Sequence, residues 1–97
     1  KVEPTTVSIS GLGDIKIIPL TQKIRNEARL LATDVNGELD LSKFQSYIIL
    51  NCLVEPKLEI SDISWVENLP TGIIDEILTQ IYKISGLEID FETLKKK

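Results

Sequence analysis

The 97 residues carry eleven Lys and Arg against fifteen Asp and Glu, a net charge of -4 with no histidine, which describes one acidic domain. That balance speaks against a nucleic-acid or anionic-membrane partner, because such binding rests on Lys and Arg displacing counterions. No apolar run approaches the roughly 18 to 20 residues of a membrane span, and a single cysteine excludes an internal disulfide and fits a reducing cytoplasm.

The core is expected to be aliphatic: fifteen Ile and thirteen Leu stand against two Phe, two Tyr and one Trp, leaving few aromatic platforms for stacking. No Met is present, so the chain is expected to be trimmed or a fragment, and no signal peptide is visible. Lys95 to Lys97 read as a solvated basic tail.

Residues 1–6 read as an unstructured lead-in. Val7 and Ile9, then Ile15 and Ile17, alternate with polar residues around Gly11-Leu12-Gly13-Asp14, which predicts a small β-hairpin. The Gly-Leu-Gly step is turn chemistry; the second half of a phosphate-binding glycine motif does not follow. Two strands alone are marginal in water, so the pair must lie on the helices or extend a neighbouring subunit's sheet.

From Pro19 the period becomes helical, with Leu20, Ile24, Ala28 and Leu31 on one narrow stripe and a helix ending near Thr33. Arg25 and Arg29, four apart on its other face, form a small basic strip that is either solvated or offered to an acidic partner. Residues 34–45 imitate half of a calcium-binding EF-hand loop around Asn36-Gly37, but Ala32 and Lys43 occupy the positions of the two most important carboxylates. A turn leading to a helix start is the better reading, capped by a Ser42–Gln45 box or by Asp40.

The following helix, from about Ser42 to Val54, is apolar all round and reads as the most buried, so Asn51 must bond to a neighbour or a water. Cys52 reads as a small buried hydrophobe, as the chain has no histidine to activate it. Pro56 ends the helix. Ser61 and Asp62 then cap a short helix carrying Trp65, whose leading role is to close the core and whose alternative role is a contact anchor for a partner.

The last helix runs from Pro70 to Ser85, with Pro70-Thr71 as start and Gly86 as stop. Ile73, Ile84, Ile77, Ile81, Ile74, Leu78 and Tyr82 spread over about half its circumference, whereas one neighbour needs an arc of about 100°. It must touch two elements, or one element and another molecule. The expectation is a split face: Ile73, Ile77, Ile81 and Ile84 toward the core, Leu78 and Tyr82 at an intermolecular margin. Beyond it, Leu87, Ile89 and Phe91 alternate with carboxylates.

At Leu53-Val54-Glu55-Pro56-Lys57-Leu58, at Leu69-Pro70-Thr71-Gly72 and at Ile84-Ser85-Gly86-Leu87 the chain resembles the tail assembly chaperones of long-tailed phages and prophages of Gram-positive bacteria. The resemblance covers roughly residues 7–87. It implies a non-enzymatic role in the bacterial host cytoplasm: coating the aggregation-prone tape measure protein, bringing tail tube protein to it, and self-associating into a homo-oligomer. It carries over no catalytic or binding residue.

The expectation is therefore a mainly α protein, a small bundle of three to four helices with a short N-terminal β-hairpin, in a single domain over residues 1–97 whose ends (1–6 and 88–97) are flexible. No catalytic constellation, metal site or cofactor motif stands in the sequence. The candidate partner-binding residues are Trp65, Leu78, Tyr82, Arg25 and Arg29. The competing readings are a small acidic protein-binding regulator, antitoxin-like or a host-takeover inhibitor, and a helical DNA-binding domain, which the charge disfavours.

Overall fold

The computed structural model describes residues 3–87. Strands β1 (Thr5–Ile9) and β2 (Gly13–Ile17) form the expected antiparallel hairpin, with Val7 opposite Ile15 and Ile9 opposite Gly13. Alternation puts Ile9, Ile15 and Ile17 on the inner face, all buried. Gly11 and Gly13 turn the chain at φ of 80° and 97°. Thr5 and Thr6 belong to β1, so the unstructured lead-in is shorter than the sequence suggested.

Helix α1 (Gln22–Ala32) starts at Thr21, whose hydroxyl accepts from the Ile24 amide at 3.2 Å. It buries Ala28 and Ala32, two small side chains that let it lie close on helix α2 (Leu41–Cys52). Asp40 is the N-cap of α2, its carboxylate accepting from the Lys43 amide at 3.1 Å; the Ser42 box is not the cap. α2 is the central helix, with Ser46, Ile48, Ile49, Leu50 and Cys52 buried against α1, α4 and the short helix α3 (Ile63–Glu67). Asn51 satisfies its amide within the helix by donating to the Tyr47 carbonyl at 2.9 Å.

The end of α2 departs from the sequence reading. The helix stops at Cys52, and Leu53–Glu55 form strand β3, which pairs antiparallel with β2 through Lys16–Glu55 and Ile17–Leu53. Pro56 is the cause at a distance: a continued helix would need a residue-56 N–H for the Cys52 carbonyl, and proline has none. The Ile18 amide takes that carbonyl instead, at 2.8 Å. Among the described residues the sheet therefore has three strands in the order β1-β2-β3, and the hairpin is extended from within the chain.

A 3-10 turn at Ile60–Asp62 leads into α3, closed by the Asp62 carboxylate accepting from the Glu59 amide at 2.8 Å. Helix α4 (Thr71–Ile84) ends as the sequence predicts. Gly86 sits at φ 79°, its N–H donating to the Lys83 carbonyl and that of Leu87 to the Tyr82 carbonyl, the paired bonds of a Schellman stop.

The wide apolar arc of α4 is used inside the molecule. α4 touches both α2 and β1, which fulfils the two-element expectation. The Glu76 carboxylate accepts from the Ser10 amide at 3.2 Å, and Ile73 lies beside Gly11, 3.5 Å from where a β-carbon would stand. Among the described residues the fold is thus four helices with a small antiparallel sheet, mixed α/β rather than plainly a bundle. The expectation of a flexible tail over 88–97, with Ile89 and Phe91, lies outside the described residues.

Candidate functional site

The five candidate residues do not form one site. Leu78 was expected at an exposed margin and is fully buried, together with Ile77 and Ile81. The physical reason is the second neighbour: with α2 on one side of α4 and the sheet on the other, the buried arc is centred on Ile81 and takes in Leu78. Ile73 and Ile84, assigned to the core, are only partly buried and border that arc.

Tyr82 is also partly buried and packs on the core, so the α4 margin is largely an internal contact. Burial raises its hydroxyl pKa, the nearby Cys52 raises it further, and Arg25 opposes both. Arg25 shares a groove with Leu20, Ser85 and Leu87, close to the carboxyl end of α4 where the helix dipole favours a cation. The Arg25–Arg29 strip is accordingly divided: Arg25 sits beside α4, and Arg29 lies exposed in the last turn of α1.

Trp65 remains 41% exposed, so it does not close the core; Val66, its neighbour on α3, is the side chain buried there. Helix α3 is only five residues long and turns Ile63 and Val66, three apart, toward the core, which leaves Trp65 on its outer side. Cys52 is free and fully buried, and desolvation pushes its thiol up to about 12, so it is not a nucleophile at neutral pH.

The largest accumulation of exposed apolar side chains lies elsewhere. Among the described residues, Leu30, Leu31, Val35, Leu39 and Leu41 are five of the eight large hydrophobic residues that are exposed, and all fall between the last turn of α1 and the first of α2. Leu31 was expected on the buried stripe, but the i, i+4 series that reaches α2 is Ile24, Ala28, Ala32, and Leu31 is turned aside, 47% exposed. The Leu30-Leu31 doublet was the missed signal, since adjacent helical residues diverge by about 100° and cannot share a narrow stripe.

The connection that carries these residues is closed by its own hydrogen bonds. One Asp34 carboxylate oxygen accepts from the Asn36 and Glu38 amides, both at 2.9 Å; Asp34 N–H donates to the Glu38 carbonyl, and Asp40 N–H to the Ala32 carbonyl. Gly37 takes φ 81° at the turn. Leu31 and Leu39 face a groove of about 330 Å³ whose charged lining is Asp34, Glu38, Asp40 and Lys43.

Among the described residues, no group of three or more His, Cys, Asp and Glu side chains is placed to hold a metal ion, and no helix is long and apolar enough to cross a membrane. No family model matches the sequence, and neither the curated proteins nor the solved structures include a match to it.

Proposed function

We propose that this chain is a non-enzymatic phage tail assembly chaperone that binds the tape measure protein and tail tube subunits in the bacterial host cytoplasm. The observation that carries the reading is the exposure of Leu30, Leu31, Val35, Leu39 and Leu41 around one hydrogen-bonded turn, with Leu31 and Leu39 lining a common groove. Exposed apolar patches of this kind mark protein–protein contact sites. The identity of the partner rests on the family resemblance carried by the Val-Glu-Pro and Ser-Gly segments, not on a binding role for those segments.

Gene position is a first check: a chaperone gene lies between those for the tail tube and the tape measure. The experiment that tests the reading is affinity co-purification with the tape measure protein, with light scattering at several concentrations for self-association. A strict monomer that ignores that protein overturns the proposal. A discrete one-to-one complex with a different protein, without self-association, identifies the small acidic regulator instead.

A further inference from the structure

We infer that the groove between the end of α1 and the start of α2 receives an amphipathic helix whose aliphatic face is flanked by Lys or Arg. The inference rests on the protein-binding reading above and names the chemistry of the partner.

Three observations select that occupant. The first is apolar: Leu31 and Leu39 line the groove, with Leu30, Val35 and Leu41 exposed on the same connection. These aliphatic side chains favour burial against another aliphatic surface.

The second is charge. Three carboxylates, Asp34, Glu38 and Asp40, line the groove against one ammonium, Lys43. Asp34 and Asp40 each commit one oxygen to backbone amides of the turn and the α2 cap. The Glu38 side chain is exposed, and the ion pair of the described residues, Lys16 with Glu55, lies in the sheet. The rim therefore complements a partner carrying Lys or Arg beside its apolar face and repels an acidic one.

The third observation weighs against an extended strand as occupant. Strand addition needs unpaired main-chain donors and acceptors. Here the amides of Asp34, Asn36, Gly37, Glu38 and Asp40 are bonded within the connection and that of Thr33 to the Leu30 carbonyl, which leaves few main-chain donors for a strand. A helix satisfies its own backbone and needs only side-chain contacts, so it fits a groove of this kind.

The test uses the full chain, isotope-labelled for NMR, and two synthetic amphipathic helical peptides with the same leucine face, one flanked by Lys and one by Glu. The expected result is saturable binding of the Lys-flanked peptide with shifts centred on residues 30–41, and binding of the Glu-flanked peptide weaker by about tenfold or more. Glu38→Lys should narrow or reverse that preference, and Leu31→Glu should abolish binding while leaving the remaining spectrum folded. Should Leu31→Glu unfold the chain, Glu38→Lys still decides the matter.

Equal affinity for both peptides, no binding of either, or shifts centred on Trp65 overturns the inference. Self-association of the free chain through residues 30–41 also overturns it, because the occupant is then a second copy. If the tape measure protein co-purifies while the peptide result is negative, the proposed function stands and the groove assignment falls; the reverse outcome separates them the other way.

Discussion

The Ser85 hydroxyl accepts the Leu20 backbone N–H at 2.7 Å and donates to the Ile81 carbonyl at 2.6 Å, fastening the approach to α1 onto the last turn of α4. One hydroxyl thereby joins segments 65 residues apart at a partly buried position. Ser85→Ala leaves the Leu20 amide without its acceptor, at a cost of about 1–3 kcal/mol. Urea unfolding should show that loss; a midpoint unchanged from the parent would mean that water replaces the hydroxyl without penalty.

The two glycines of the α4 region should respond in opposite directions to alanine. Gly86 holds φ 79° at the helix stop, where a side chain is strained, so Gly86→Ala costs about 1–2 kcal/mol. Gly72 lies in the first turn with open space around it, so Gly72→Ala should gain up to about 1 kcal/mol. Equilibrium denaturation of the two variants provides the comparison.

Leu78 and Leu30 test which apolar residues belong to the fold. Leu78 is fully buried, and Leu78→Ala should cost about 2–5 kcal/mol. Leu30 is 77% exposed, and Leu30→Glu should change stability by no more than about 0.5 kcal/mol while reducing partner binding. Thermal unfolding of both, with a binding assay on Leu30→Glu, separates the roles.

Buried Cys52 makes the fold sensitive to alkali. Its thiol moves from 9.0 to about 12, so its contribution is complete below pH 9, where folded and unfolded forms are both protonated. As pH rises further, the unfolded thiol ionises first, and stability falls by about 1.4 kcal/mol per pH unit until the folded thiol follows. The raised Tyr82 hydroxyl acts in the same direction. Unfolding curves at about pH 8 and about pH 10 should converge less in the parent than in Cys52→Ala; parallel pH dependences would contradict the assignment. For the same reason a thiol reagent should modify Cys52 only when the fold opens.

The legible parts of this fold were those written locally. Pro70 and Gly86 bracket α4 because the fixed φ of a proline at the N-cap and the positive φ of a helix stop are properties of single residues. The alternation of Ile9, Ile15 and Ile17 gave the inner face of the hairpin for a similar reason. β3 was hidden because its pairing with Ile17 is a tertiary event, and Leu53-Val54 is equally apolar in helix or strand. The α4 arc was measured correctly and divided wrongly, since periodicity gives its width but not the position of its neighbours, which placed Leu78 at its margin. The exposed cluster at residues 30–41 was partly written in the Leu30-Leu31 doublet, but the exposure of Leu39 and Leu41 depends on how far the turn stands from the core.

The most direct test of the account is co-expression of the chain with the tape measure protein encoded in the same genome, reading the soluble fraction of the latter. The account predicts a soluble complex with the parent chain and loss of that complex with Leu31→Glu, itself folded. Insoluble tape measure protein beside a soluble parent chain that elutes alone would contradict it.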